Sequence, residues 1–304
     1  MRVAGDVSAA LADGTAVVAL ESTLLAHGLP PGRNRKVADA VEDAVRAAGA
    51  VPATIAVLDG RLRVGLDPAG LDRVCDPAAG LAKLSARDLG PAIALGRDGA
   101  TTIASTALIA HAAGIGVFGT GGLGGVHLPS PGQASSWDVS ADLDVLASTP
   151  VAVVCSGVKS VLDIAATIEV LETRSVPVLG YRTDSFPAFY RRESHFGVPW
   201  RVDTPAAAAA VIAEHRRGPA HSGVLVANPV PVEHELDAAL HDRLLSEGMA
   251  KVAASDVRGG DVTPVLLEHF HTASDGASLD TNEALVLSNV TLAAEIAVEL
   301  ARGG

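Results

Sequence analysis

Short apolar segments alternate with amphipathic helical segments along most of this 304-residue chain, and this alternation limits the possible fold more than any other feature. The apolar segments run continuously, which is typical of strands that are buried on both faces. Strands that are separated by helices favour a largely parallel sheet with helices on both sides. The strands are predicted at residues 15–20, 54–58, 62–64, 115–118, 178–181 and 223–226, with a further one that begins at residue 151.

The helical segments are recognised by apolar residues that recur every three or four positions. Ser85 and Asp88 have the spacing of a capping box, which predicts that a helix opens there. No low-complexity linker divides the chain, so we expect one domain over residues 1–304. The helices are predicted at 36–48, 85–95, 101–113 and about 160–173, and in a helical C-terminal portion at about 235–255, 264–272 and 282–301.

The charge of the chain limits its partners. The formal net charge is −12, and nucleic-acid polymers and anionic membranes both require a basic face. A single phosphorylated small molecule remains possible, because it needs only a few local donors. The two cysteines, Cys75 and Cys155, are too few for a disulfide framework. No secretion-type segment and no uncharged segment of membrane-spanning length was found, and we expect a cytoplasmic protein.

Lys159 follows the apolar run that begins at Val151, after a turn of small residues. Ligands of open α/β sheets bind beyond the carboxyl ends of the strands. A lysine there is partly desolvated, which favours the neutral amine that attacks carbonyl carbons. The alternative is a surface lysine that opens a helix, and spacing alone favours this simpler interpretation.

A glycine-rich segment, GTGGLG at residues 119–124, directly follows a predicted strand. It matches the dinucleotide-binding fingerprint, which requires a helix to begin at the last glycine. The chain continues with Pro129 and Pro131, which exclude such a helix. We therefore expect a loop that approaches a substrate closely, with a purely structural loop as the alternative.

Carboxylates and amides also fall near predicted strand ends. Glu21 ends the first strand, where a partly dehydrated carboxyl group can act as a general acid. Asp138 and Asp142 are four residues apart; on one helix face they could hold a divalent ion, although an ordinary acidic helix start is the alternative. Asn282 and Asn289 lie on one face of an apolar helix and require partners from the backbone or from a ligand.

Ordered motifs over nearly the whole chain carry a resemblance to a known family. They include ALEST at 19–23, AHG at 26–28, GAVPATI at 49–55, TGGLGGVH at 120–127, DVSADL at 138–143, VCSGVKS at 154–160 and VANP at 226–229. With these motifs the chain resembles the pseudouridine-5′-phosphate glycosidases, which are also called the indigoidine synthase A-like family. The resemblance implies a three-layer α/β/α fold around a largely parallel, mixed sheet, a homotrimer and a bound divalent ion, usually Mn²⁺.

The resemblance also implies an activity and a set of site residues. The activity is reversible cleavage of the C–C glycosidic bond of pseudouridine 5′-phosphate, which gives uracil and ribose 5-phosphate through a lysine Schiff base. By matching position, Lys159 would be the nucleophile, Glu21 the proton donor and Asp138 the metal ligand. The substrate contacts would be Lys83, Ile103, Ser140, Ala141, Asp142 and Asn282.

The sequence alone is also compatible with two other functions. The first is another Schiff-base lyase that acts on a sugar phosphate, which would use Lys159 but would release no uracil. The second is a non-catalytic accessory protein that retains the fold.

Overall fold

The computed structural model describes residues 1–129, 136–159, 162–255 and 262–303. The strands in chain order are β1 (Arg2–Val3), β2 (Val17–Leu20), β3 (Val51–Leu58), β4 (Arg61–Val64), β5 (Ala82–Leu84), β6 (Gly99–Thr101), β7 (Val117–Gly119), β8 (Val126–His127), β9 (Ala152–Cys155), β10 (Leu162–Asp163), β11 (Val178–Tyr181), β12 (Trp200–Val202) and β13 (Val224–Ala227). Their order along the chain differs from their order in the sheet.

The helices lie between these strands and in the C-terminal third of the chain. They are α1 (Gly5–Ala12), α2 (Thr23–His27), α3 (Arg33–Ala47), α4 (Pro68–Cys75), α5 (Leu89–Ala94), α6 (Ile103–Ala112), α7 (Ala141–Ser148), α8 (Ile164–Thr173), α9 (Pro205–Arg217), α10 (Ala238–Ala253), α11 (Val262–Ala273) and α12 (Ala277–Arg302). Short 3₁₀ turns occupy Pro77–Ala79, Ala86–Asp88 and Val232–His234.

In the described part of the chain, eleven strands form one mixed, mostly parallel sheet. Its main path is β1-β4-β3-β2-β7-β9-β13-β11-β12, and β6 joins it through β3 while β5 pairs with β6. The strands from β2 to β12 along this path are parallel, whereas β3 pairs antiparallel with β4 and β6. The predicted sheet is confirmed, and every residue of β2, β9, β11 and β13 is buried, as their continuous apolar sequences require.

Helices cover the sheet in two groups. Helices α3 and α9 pack on α12, which itself lies against β2, β7 and β9. The other group contains α6, which contacts β2 and β3, together with α7 and α8. Helix α12 is long and apolar enough to cross a membrane by length and composition, but half of its most apolar window is buried within the protein. Its apolar residues therefore serve as part of the core.

The structure corrects several local predictions. The helix expected from about residue 160 begins only at Ile164, after strand β10, and residues 160 and 161 lie outside the described part. The capping box of Ser85 and Asp88 is confirmed, although it opens a 3₁₀ turn before α5. The short edge strands and helices α1, α2, α4 and α9 were not predicted. Helices α1, α2 and α4 have eight residues or fewer, which is too short for an apolar pattern to repeat convincingly.

Candidate active site

Three neighbouring parallel strands bring their carboxyl ends to one edge of the sheet. Strand β2 is followed by Glu21, β7 by Thr120, and β9 by the turn that leads to Lys159. The register pairs Leu20 with Gly119, so the next residues, Glu21 and Thr120, are adjacent. The hydroxyl of Thr120 donates a hydrogen bond to Oε1 of Glu21.

Backbone hydrogen bonds join the glycine-rich loop to the turn that carries Lys159. The N–H of Ser156 donates to the carbonyl of Gly121 at 2.8 Å, and the N–H of Leu123 donates to the carbonyl of Gly157 at 2.9 Å. The N–H of Lys159 donates to the carbonyl of Leu123 at 3.3 Å. Lys159 is therefore held by a paired backbone and does not open a helix, since the next helix begins at Ile164; that part of the simpler interpretation is wrong.

A cavity of about 410 Å³ lies over this edge of the sheet. All nine residues that the sequence predicted for the site line it, namely Glu21, Lys83, Ile103, Asp138, Ser140, Ala141, Asp142, Lys159 and Asn282. The cavity walls also include His27, Arg87, His127, Phe189 and Leu267. The predicted residues therefore converge, although they are spread over more than 260 positions of the sequence.

The carboxyl group of Glu21 lies among opposing charges. Burial raises its pKa above the ordinary value, and the nearby charge of Asp142 acts in the same direction. The positive charge of Lys159, the hydrogen bond from Thr120 and the charge of Lys83 lower the pKa without cancelling the effect of burial. A carboxyl group in this state can hold a proton close to neutral pH and release it to a substrate.

Asp142 is buried at the start of α7, and both of its carboxylate oxygens accept backbone hydrogen bonds. One accepts from the N–H of Ala104 at 2.9 Å, in the first turn of α6. The other accepts from the N–H of Gly124 at 3.0 Å, in the glycine-rich loop. Ser140 caps α7 by accepting from the N–H of Asp142 at 3.2 Å. Asp142 thus ties two walls of the cavity together.

Asp138 does not share a helix face with Asp142. Helix α7 begins at Ala141, and the carbonyl of Asp138 accepts the N–H of His127 in a strand-like arrangement. The expected pair of carboxylates on one helix face is therefore wrong. The side chain of Asp138 is 40 % exposed, and its Oδ2 lies 3.9 Å from Nδ1 of His127. Burial lowers the pKa of His127, although Asp138 opposes this shift.

Within the described residues, no group of three or more His, Cys, Asp or Glu side chains is placed to hold a metal ion. An all-protein cage of the kind that holds structural zinc is thus not formed there. A hard cation that keeps most of its water ligands needs only one or two carboxylates, and the exposed carboxylate of Asp138 fits that requirement.

Asn282 is 2 % exposed, and its Oδ1 atom has no hydrogen-bond partner within the described protein. The hydroxyl oxygen of Thr23, which also lines the cavity, likewise has no hydrogen-bond partner among the described residues. A buried polar atom without a partner is costly. Both atoms therefore indicate places where a ligand can supply the missing hydrogen bond.

A family model described as indigoidine synthase A like protein matches residues 6–299 of the chain. The chain belongs to the indigoidine synthase A-like family. Two bacterial relatives are named pseudouridine-5′-phosphate glycosidase. The protein of Salinispora tropica is 52 % identical over 98 % of this chain and 91 % of its own length, and that of Symbiobacterium thermophilum is 52 % identical over 98 % and 97 %.

Two solved structures of similar proteins have the same fold. The prealnumycin C-glycosynthase AlnA, in complex with ribulose 5-phosphate, superposes with a TM-score of 0.90 at 38 % identity and covers 99 % of this chain and 97 % of its own. An indigoidine synthase A-like protein from Thermotoga maritima gives a TM-score of 0.87 at 35 % identity, with 95 % and 94 % covered. The fold expected from the resemblance is therefore confirmed.

Some polar residues that line the cavity or bond to its lining were not predicted: Thr23 lines the cavity, and Thr120 lies behind it and bonds to Glu21. Thr120 lies inside the glycine-rich motif, but a threonine between glycines carries no signal of its own. Thr23 belongs to the ALEST motif and was considered only as a cap. Asn289, in contrast, was expected to need partners, and its side chain donates to the carbonyls of Thr120 and Gly121 and to the hydroxyl of Ser156.

Proposed function

We propose that this protein cleaves the C–C glycosidic bond of pseudouridine 5′-phosphate reversibly, giving uracil and ribose 5-phosphate. The names of relatives that are about half identical over their whole length support this activity. The observation that carries the proposal is that Lys159 and Glu21 line one cavity and that burial raises the pKa of Glu21.

The cavity lining includes groups that suit the phosphate and groups that suit the base of the substrate. Lys83 and Arg87 supply positive charge, and Ile103 opens helix α6 beside them, so that a phosphate can bind to cationic side chains and backbone amides. In the same cavity, the unpartnered Oδ1 of Asn282 can accept a hydrogen bond from a ring N–H of uracil. Lys159 would then meet the sugar that joins the phosphate to the base.

The chemistry needs a covalent intermediate because the leaving atom is carbon. Glu21 protonates the ring oxygen of the ribose, the C1′–O bond breaks, and the amine of Lys159 forms a bond to C1′. The secondary ammonium so formed releases one proton, which restores the nitrogen lone pair, and the base carbon accepts one proton, so that the proton count is unchanged. The nitrogen lone pair forms the C=N bond as the bond between C1′ and the base breaks, so that uracil leaves. Water hydrolyses the resulting imine and releases ribose 5-phosphate. One difficult step is thus divided into easier ones.

We also propose that a divalent cation, Mn²⁺ or a similar ion, binds at Asp138 with water completing its ligands. The exposed carboxylate on the cavity wall supports this position. When bound, the ion would offset negative charge and orient water. We propose in addition that the protein is a cytoplasmic homotrimer, as the resemblance implies.

A second candidate is the formation of a C-glycosidic bond to an acceptor other than uracil. The structural likeness to a C-glycosynthase at 38 % identity favours it. Both candidates would bind a sugar phosphate in the same cavity and use the same lysine. A panel of aromatic acceptors incubated with ribose 5-phosphate separates them, since only the first candidate predicts that uracil is preferred.

Borohydride reduction in the presence of ribose 5-phosphate, followed by peptide mass analysis, tests the covalent step. The chain has four lysines, of which Lys83 and Lys159 line the cavity. We expect one sugar adduct on Lys159, no adduct in Lys159→Ala, and a higher ribose 5-phosphate requirement in Lys83→Ala. The exposed Lys36 provides a control, because Lys36→Ala should behave as the unaltered protein. An adduct on Lys83, or none at all, would contradict the mechanism.

A further inference from the structure

Thr120 makes three hydrogen bonds at the start of the glycine-rich loop that follows β7. It is 2 % exposed, its N–H donates to the carbonyl of Val154 at 3.0 Å, and its carbonyl accepts from Nδ2 of Asn289 at 2.8 Å. Its hydroxyl donates to Oε1 of Glu21. The main chain of Thr120 is therefore fixed, and the position of its hydroxyl depends on only one further torsion angle, χ1 of a stiff, β-branched side chain.

Asn289 links this threonine to the turn that carries Lys159. Its Nδ2 lies 3.1 Å from the carbonyl of Gly121 and 3.0 Å from the hydroxyl of Ser156. Its Oδ1 accepts from Nδ2 of Asn228 at 2.9 Å, which holds the amide in place from the side of β13. One fully buried amide on α12 thus touches the loops that follow β7, β9 and β13.

We propose that Thr120 is a positioning residue that fixes Oε1 of Glu21 and leaves Oε2 to carry the proton toward the substrate. Asn289 keeps Thr120 and the turn before Lys159 at a fixed distance from each other. This inference rests on the proposed function, because it concerns the proton donor of that reaction. Thr120 acts on the sugar through Glu21 and forms no bond to it.

The charged surroundings of Glu21 determine what loss of the hydroxyl should do. Lys159 and Lys83 favour the ionised carboxylate, whereas burial and Asp142 favour the protonated form. His27 and His127 also line the cavity, and burial lowers the pKa of each. Thr120 adds a hydrogen bond that stabilises the ionised form. Removal of this bond should raise the pKa of Glu21 further and make it a weaker, less well oriented acid.

The test compares Thr120→Val, which removes the hydroxyl at constant shape, with Thr120→Ser, which keeps it. For Thr120→Val we expect kcat for uracil release to fall about tenfold, with KM changed by less than about twofold. In a plot of kcat against pH, the alkaline limb should move to higher pH, because the pKa of Glu21 rises. Thr120→Ser should restore the rate and the position of that limb. Thr291→Val, on a half-buried threonine of α12 outside the cavity, is the matched control.

A purely structural role makes different predictions. It would lower the melting temperature and the amount of active enzyme without moving the pH profile, and Thr120→Ser would give no specific rescue. Either result overturns the inference. If Thr120→Val does not fold, Thr120→Ala serves as the second variant and should show the same alkaline shift.

The proposed function can fail independently. If the unaltered protein releases no uracil from pseudouridine 5′-phosphate, the proposed function is wrong, but Thr120 can still be tested. Titration of the carboxyl carbon of Glu21 by carbon-13 NMR, assigned with Glu21→Gln, needs no turnover. A higher pKa in Thr120→Val than in the unaltered protein and Thr120→Ser supports the hydrogen-bond role, and equal values refute it.

Discussion

A Cβ atom on Gly157 would lie 1.8 Å from the carbonyl oxygen of Pro187. Gly157 also has a φ of +73°, which side-chain-bearing residues adopt only at a cost. Two residues later the chain reaches Lys159, so this close approach of two backbone segments determines where the amine is placed. The glycine is required by space as well as by its backbone angle.

Gly157→Ala should therefore destabilise the protein by about 2–5 kcal/mol, from left-handed strain and overpacking together. It should also reduce borohydride trapping on Lys159, because the turn must move away from Pro187. Urea unfolding and adduct yield measure the two effects. Gly90→Ala is the control, since a Cβ there meets no atom within 4 Å and the φ of Gly90 is not positive. Trapping that survives in Gly157→Ala would show that the turn does not set the amine position.

Glu21→Gln should reduce uracil release by about 10²- to 10⁴-fold, the usual contribution of a general acid. The amide keeps an acceptor for the hydroxyl of Thr120 but has no acidic proton to release. Ribose 5-phosphate exists partly as an open aldehyde, so the adduct on Lys159 should still form under borohydride. Since burial raises the pKa of Glu21, kcat of the unaltered enzyme should fall on the alkaline side as this acid ionises. Full turnover by Glu21→Gln would exclude Glu21 as the proton donor.

Asp142→Asn should affect both stability and the pH profile. The amide can accept only one of the hydrogen bonds from Ala104 and Gly124, which should cost about 1–3 kcal/mol of folding free energy. Loss of the negative charge removes one of the effects that raise the pKa of Glu21. The alkaline limb of kcat should thus move to lower pH, opposite to the shift in Thr120→Val.

The matched control for this change lies on the same helix. Asp144 is exposed in the first turn of α7 and pairs with Arg174 at 2.9 Å on the surface. Asp144→Asn should leave the kcat profile unchanged and alter stability by about 0–1 kcal/mol. If Asp142→Asn and Asp144→Asn behave alike, the buried carboxylate has no special effect on Glu21.

The sequence identifies the residues of the site better than their mutual contacts. The continuous apolar run before Lys159 places that residue at the end of a buried strand, because only such strands lack polar alternation. The pairing of Glu21 with Thr120 depends instead on β2 and β7 being neighbours in register. About a hundred residues separate these two strands, and nothing local in either sequence specifies that neighbour.

Local patterns also failed where tertiary contacts override them. Asp138 and Asp142 have helical spacing, yet Asp138 lies in a segment whose carbonyl accepts the N–H of His127. The antiparallel bridge between Val126 and Val139 determines this conformation. A five-residue spacing pattern cannot report a bridge to a distant strand, so the shared helix face could not be checked without the structure.

His271 should make the protein less stable as the pH falls below neutrality. Burial, together with the charge of Arg33, lowers its pKa from an ordinary value of 6.5 to about 4. Between these two pH values the unfolded chain binds a proton that the folded protein does not, so the free energy of unfolding rises with pH over this interval. The contribution is complete above pH 6.5 and is lost as the pH falls toward 4. Because the side chain is only partly enclosed, we expect about 1–2 kcal/mol instead of the full value of the shift.

Urea unfolding at pH 7.5 and pH 5 measures this contribution of His271. In His271→Gln the difference in unfolding free energy between the two pH values should shrink by about 1–2 kcal/mol, since the substituted side chain does not titrate. His111 is exposed at the end of α6, and His111→Gln should retain the full pH dependence. An unchanged difference in His271→Gln would mean that the histidine is protonated in the folded protein at pH 5, which requires that water or an anion reaches its ring despite the charge of Arg33.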